Sequence, residues 1–170
     1  MMPYAGTSTF LITGSADNTA KLWEVSTGKE LFSWDFPTAV KRLARAADDS
    51  QFLLITEARS GYKGTVQVFN VNRENPTQQS REPARTITFH GPKPTVAAFG
   101  PMDEYIITAH EDGKVAKYYH DKEEPETGVD SELEESSESA HPGAVITDIQ
   151  FGPDRTYFVT SSKDKSAKVR

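Results

Sequence analysis

Tyr105-Ile106-Ile107-Thr108-Ala109-His110-Glu111-Asp112-Gly113-Lys114-Val115-Ala116-Lys117-Tyr118 is the stretch that decides the fold. An apolar run ends in threonine, a turn follows, and an alternating run ends in an aromatic residue. Short apolar runs bounded by turn residues read as buried β-strands. Asp and Gly tolerate the backbone geometry that closes a hairpin. The strand recurs as Phe10-Leu11-Ile12-Thr13, Leu53-Leu54-Ile55-Thr56 and Tyr157-Phe158-Val159-Thr160. The turn recurs as Ser15-Ala16-Asp17-Asn18 and Lys163-Asp164-Lys165. The alternating strand recurs as Ala20-Lys21-Leu22-Trp23-Glu24-Val25 and Val66-Gln67-Val68-Phe69-Asn70-Val71.

Working outward, the aromatic position is held by Trp23, Phe69, Tyr118 and, in the fourth copy, Arg170. These are spaced by 46, 49 and 52 residues, close to a β-propeller period of roughly 40–45. The second copy reaches Phe69 three residues late, with Gly61-Tyr62-Lys63-Gly64 in a longer turn. Upstream, Phe99-Gly100-Pro101 matches Phe151-Gly152-Pro153. The strand Val40 to Ala47 carries alanine where its siblings have Phe99 and Phe151, which predicts a weaker core there. His90 precedes Thr108 by 18 residues and His141 precedes Thr160 by 19.

This order resembles the WD-repeat family: histidine, strand threonine, turn aspartate, then tryptophan. The resemblance implies an all-β propeller in which these side chains form one hydrogen-bonded network per four-stranded blade. Buried polar groups need partners. The turn aspartate can accept from a histidine N–H and from backbone amides. The other ring nitrogen can pair with the threonine hydroxyl, and that hydroxyl with the indole N–H. The third repeat offers His90, Thr108, Asp112 and Tyr118, and the fourth offers His141, Thr160 and Asp164. The first offers Thr13, Asp17 and Trp23, and the second keeps Thr56 and Phe69. His90 and His141 lack the family's preceding glycine. Blade boundaries are expected at about 1–36, 37–90, 91–140 and 141–170.

A closer resemblance is to the i-subunit family of eukaryotic translation initiation factor 3. It rests on Gly14-Ser15-Ala16-Asp17, Lys21 to Val25, Ala39-Val40-Lys41-Arg42, Tyr105 to Lys114 and Ser161-Ser162-Lys163-Asp164. That family forms a seven-bladed ring. The resemblance implies that this chain covers about blades two to five, or some three and a half blades. A partial ring leaves blade faces bare, so marginal stability or aggregation is expected. The implied role is a non-catalytic, cytoplasmic scaffold that supports recruitment of mRNA and initiator tRNA to the small ribosomal subunit. The implied partners are the b and g subunits of the same factor. Motif alignment puts Asp154 and Val169 at partner-contact positions; a turn residue and a core residue are the alternative readings. A generic WD-repeat adaptor in a signalling or ubiquitin-transfer complex is the rival function, since one fold hosts many.

Composition agrees with a soluble domain: 170 residues, 36% hydrophobic and 26% charged. Met1 to Thr9 lacks a signal-peptide order, and no apolar run of about 18 residues suggests a membrane span. With no cysteine, a disulfide framework, a thiolate zinc site and a cysteine nucleophile are all excluded. Net charge is −6, but Asp121 to Glu138 alone contributes −8, leaving the rest at +2. No broad basic face for nucleic acid is expected. The segment Asp121 to Ser139 reads as a mobile acidic surface loop, open to a basic partner. Ser131, Ser136 and Ser137 have an acidic context that suits phosphorylation. Glu126 stands where an EF-hand needs glycine, so no calcium loop is expected. Glu74 to Pro83 reads as a polar connector.

No catalytic residue, cofactor or metal is expected. No P-loop, dinucleotide fingerprint or nucleophile elbow occurs. Ser162 to Lys165 spells S-x-x-K, but at a strand-to-turn junction rather than opening a helix. Asp17, Asp112 and Asp164 share one repeat phase in separate blades, which reads as structural. Trp23 and Trp34 read as packing residues. His110 and His120 bracket a hairpin without a zinc spacing. A propeller enzyme would need charged residues converging on the central channel, and the sequence shows none.

Overall fold

The computed structural model describes residues 9–59, 61–89, 91–119, 135–136 and 139–170. They form fourteen strands in four antiparallel sheets. The first sheet joins β1 (Phe10–Gly14), β2 (Thr19–Glu24) and β3 (Glu30–Asp35). The second joins β4 (Val40–Arg45), β5 (Gln51–Thr56), β6 (Thr65–Asn70) and β7 (Arg85–Thr88). The third joins β8 (Pro94–Phe99), β9 (Tyr105–His110), β10 (Val115–Tyr119) and β11 (Glu135–Ser136). The fourth joins β12 (Ile146–Phe151), β13 (Phe158–Ser162) and β14 (Ala167–Val169). This is the architecture of part of a WD propeller.

Three cores fill the three gaps between consecutive sheets, and strand alternation distributes residues between them. On β5, Phe52 and Leu54 face the first sheet, while Leu53 and Ile55 face the third. Trp34, Phe52 and Phe69 fill the first gap, with Phe52 and Phe69 stacked 5.3 Å apart. Phe99, Ile106 and Tyr118 help fill the second. Ile107, Ala109, Ile146 and Ile149 fill the third.

The turns repeat as closely as the strands. Asp17, Asp112 and Asp164 each accept the amide two residues on, from Thr19, Lys114 and Ser166. The residue between is left-handed each time: Asn18 at φ 71°, Gly113 at 85° and Lys165 at 69°. A non-glycine residue in that region costs about 1–2 kcal/mol, so Lys165 marks a strained copy of the turn. Gly113 has a second reason to be glycine, since a Cβ there would lie 1.6 Å from the His141 carbonyl oxygen.

The pairing corrects two alignments made from spacing. Phe99 stands opposite Ile106, Phe151 opposite Phe158, and Arg45 opposite Phe52. The residue replacing phenylalanine in the second sheet is therefore Arg45, not an alanine. Ala46 takes the place of Gly100 and Gly152: all three amides donate to the carbonyl five residues on, at Gln51, Tyr105 and Tyr157. A Cβ at Gly100 or Gly152 would strike the Tyr105 or Tyr157 ring within 2.6 Å. Gln51 has no such ring, so Ala46 is accommodated.

The second correction concerns Thr56. Trp23 stands opposite Leu11 and Tyr118 opposite Ile106. Phe69 stands opposite Phe52, the counterpart of Ile106, so it holds the aromatic position that spacing gave it. Thr56 stands opposite Val40 as His110 stands opposite Pro94 and Ser162 opposite Ile146, so the position of Thr108 and Thr160 is held in this sheet by Leu54. Phe69 is a core residue of the first gap.

Two connectors behave differently from their composition. Within the acidic segment, Glu135 and Ser136 pair with Lys117 and Ala116 along the β10 edge. Backbone pairing there satisfies edge N–H and C=O groups whatever the side chains. Residues 121–134, 137 and 138 of that segment, with Glu126, Ser131 and Ser137, lie outside the described residues, as do His90 and His120. The Glu74–Pro83 connector is anchored by its own residues. Gln79 is buried, accepts the Asn72 amide and donates to the Asn72 and Pro76 carbonyls. Trp34 Nε1 donates to the Ser80 carbonyl at 2.8 Å.

Candidate functional site

The fourth sheet holds the fullest polar network. His141 is completely buried in the loop before β12. Its Nδ1 lies 2.7 Å from Asp164 Oδ2, and its Nε2 lies 2.8 Å from Thr160 Oγ1. Asp164 also accepts the Ser166 hydroxyl at 2.6 Å and the Ser166 amide at 2.8 Å. A carboxylate accepts only, so Nδ1 donates to it and Nε2 of the neutral ring accepts from Thr160. The Ser166 hydroxyl, then His141, hold the Asp164 carboxyl well below the usual carboxylate range. The His141 amide donates to the Gly113 carbonyl at 3.0 Å, tying this network to the third sheet.

The third sheet brings Thr108, Tyr118 and His110 together, a residue the sequence reading left without a role. His110 Nδ1 lies 2.9 Å from the Pro92 carbonyl, and Nε2 lies 2.9 Å from Thr108 Oγ1. A carbonyl cannot donate, so Nδ1 carries the proton and Nε2 accepts from Thr108. The Tyr118 hydroxyl lies beside Thr108, and burial pushes the phenol up. Burial also lowers the His110 ring below its ordinary value. Asp112 bonds the Lys114 amide and lies 3.5 Å from its ammonium.

The first sheet pairs Trp23 Nε1 with Thr13 Oγ1 at 2.8 Å. Asp17 turns to the Thr19 hydroxyl and amide, which lower its carboxyl. In the second sheet Thr56 meets the Thr65 hydroxyl at 2.8 Å, and Gln67 donates to that same oxygen at 3.1 Å. These contacts close hairpins and stitch neighbouring sheets.

At the innermost strands, a cavity of about 490 Å³ carries Arg42, Arg45, Asp148 and Arg155. Charge does converge there, against the sequence expectation. Arg42 donates to the Thr147 carbonyl at 3.2 Å, and Arg155 to the Gly100 carbonyl at 3.0 Å. Both guanidiniums therefore clamp one sheet to another. Among the described residues no group of three or more His, Asp or Glu is placed to hold a metal ion, and no helix is long and apolar enough to cross a membrane.

The two contact candidates lie on the fourth sheet. Asp154 is exposed, and its carboxylate accepts the Thr156 amide at 3.1 Å, which lowers its carboxyl. Val169 is 68% exposed on the outer strand β14, opposite Val159.

Comparison with known proteins agrees with this construction. The family described as WD domain, G-beta repeat matches residues 4–24 and 134–170. The chain is 60% identical over 165 residues to eukaryotic translation initiation factor 3 subunit I of Mycosarcoma maydis, covering 96% of this chain and 47% of that protein. It is 44% identical over 162 residues to the subunit I of Schizosaccharomyces pombe, covering 95% and 47%. It is 46% identical over 159 residues to that of Aspergillus oryzae, covering 94% and 45%. The chain thus spans about half the length of the curated relatives it matches. With four stacked antiparallel sheets and an Asp turn repeated in three of them, the chain has the architecture of part of a WD-repeat propeller.

Proposed function

We propose that this chain is the scaffold portion of a subunit I of eukaryotic translation initiation factor 3. The observation that carries the reading is the 60% identity to a subunit of that name along 96% of the chain. In this reading the chain acts in the cytoplasm without catalysis. It binds the b and g subunits and so supports placement of mRNA and initiator tRNA on the small ribosomal subunit. The site geometry is in keeping with that role, because its polar residues are spent on holding sheets together. Rigid sheets leave loops and outer strands free for partners.

The contact assigned to the b subunit is its C-terminal helix, held at Asp154 and Val169. Both side chains are exposed on the fourth sheet, so neither is needed for its core. A helix would reach them with an apolar anchor on Val169 and a basic residue near Asp154. Asp154→Lys should weaken binding of that helix by about tenfold in a titration, since like charge across a contact costs a kcal/mol or more. Unchanged affinity would remove Asp154 from the interface. Co-purification of the tagged chain with a signalling or ubiquitin-transfer complex, and no initiation factor subunits, would overturn the scaffold assignment.

A further inference from the structure

Arg45 interrupts the repeat at a position that two sibling sheets fill with phenylalanine. Phe99 packs into the gap between the second and third sheets, and Phe151 packs on Phe158 in the next gap. Arg45 has the same register against Phe52. It shares a strand face with Leu43, which lines the gap between the first and second sheets. Its side chain turns outward, 70% exposed, to pair with Asp49. The volume a phenyl ring would take is left open.

A cavity of about 320 Å³ lies there, at the small end of the roughly 300–1,000 Å³ typical of binding pockets. Its wall includes Phe10, Leu11, Ile12 and Leu22, and Leu11 is 54% exposed. The charged lining is Arg45, Arg73 and Asp49, a net positive rim over an apolar floor.

We propose that this cavity docks a peptide segment of a partner protein presenting one aromatic side chain flanked by carboxylates. The ring takes the place that Phe99 and Phe151 fill in the sibling gaps. A neighbouring carboxylate pairs with Arg73, or with Arg45 in competition with Asp49; arginine suits both because it binds carboxylates bidentately. Charge complementarity at the rim and an apolar floor at a position that sibling sheets fill with phenylalanine select this occupant over a basic or purely aliphatic one. A single anchor residue gives weak binding, with a dissociation constant on the order of 0.1–1 mM for a short peptide.

The test is a fluorine NMR titration of acetyl-Glu-(4-fluoro-Phe)-Glu-amide with the purified full chain. Saturable binding is expected, at least fivefold tighter than for the same peptide with Lys in place of Glu. Arg45→Phe should raise the melting temperature, because the ring fills the gap, and weaken the peptide at least tenfold. Arg73→Glu leaves the apolar floor intact and should reverse the preference between the Glu and Lys peptides. Absence of binding at about 5 mM peptide, equal binding to the Arg45→Phe chain, or a lowered melting temperature in that variant would each overturn the proposal.

Discussion

The bond between His141 Nε2 and Thr160 Oγ1 offers a direct measure of what the polar network contributes. Both side chains are fully buried and 2.8 Å apart. Thr160→Val keeps the shape and leaves Nε2 without a donor, which should cost about 1–3 kcal/mol. His141→Phe keeps a ring in place. It strips Thr160 of its best partner, leaving a 3.4 Å contact to the Lys168 carbonyl, and should cost about 2–3 kcal/mol. Each single variant counts the lost bond and the orphaned partner. The double variant loses the bond once and orphans neither of the two. It should therefore be less destabilised than the sum of the singles, by about 1–2 kcal/mol. Urea unfolding of the four proteins at pH 7, with a common slope, gives the coupling directly. At that pH the Asp164 carboxyl is ionised in both states. Its folded value lies far below the ordinary 3.8, so its contribution is full well above pH 3.8 and is lost progressively as pH falls from there toward the folded value. Additivity within about 0.5 kcal/mol would refute the claim that this hydrogen bond stabilises the sheet.

Gly113→Ala should destabilise by about 3 kcal/mol or more, because a left-handed φ of 85° and a 1.6 Å approach to the His141 carbonyl act together; a melting point unchanged within a degree or two would contradict that geometry. His110 titrates below its ordinary 6.5 because it is buried. As pH falls the unfolded chain takes up the proton first, so stability is full above about pH 6.5 and lost as pH drops through the folded value. The urea midpoint should fall between pH 7 and 5, and His110→Gln should flatten that fall. Trp34→Phe removes the 2.8 Å bond to the Ser80 carbonyl; the cost should be about 1 kcal/mol, with faster amide exchange or proteolysis confined to residues 72–83.

The repeat was legible because each copy repeats the same local chemistry. The four threonines end strands β1, β5, β9 and β13 or lie within them, and the three turn aspartates accept the amide two residues on. Asp164, Thr160 and His141 could be paired by spacing because no inserted residue separates the elements that carry them. The second sheet could not be aligned that way. An insertion in a hairpin moves every later side chain relative to its neighbour, and spacing does not say where the register resumes; Leu54 rather than Thr56 therefore holds the register position of Thr108 and Thr160. His110 escaped notice because its partner, the Pro92 carbonyl, comes from a loop whose path only packing determines. Gln79 was hidden for the same reason, as one amide among the polar residues of a connector that looked uniformly exposed.

Strand β5 belongs to two cores at once, with Phe52 and Leu54 turned one way and Leu53 and Ile55 the other. A sheet with one wet face can hide a sliding error by trading an apolar residue for a polar one at the surface. Here a shift by a single residue would exchange the contents of two gaps simultaneously. Phenylalanine would arrive where isoleucine is accommodated, and a smaller residue where an aromatic stack needs mass. The error would be penalised on both sides, so β5 acts as an alignment key for its neighbours. Sequence drift along it should be accepted in matched sets across a gap, as Ala46 with Gln51 stands in for glycine with tyrosine, and rejected one residue at a time.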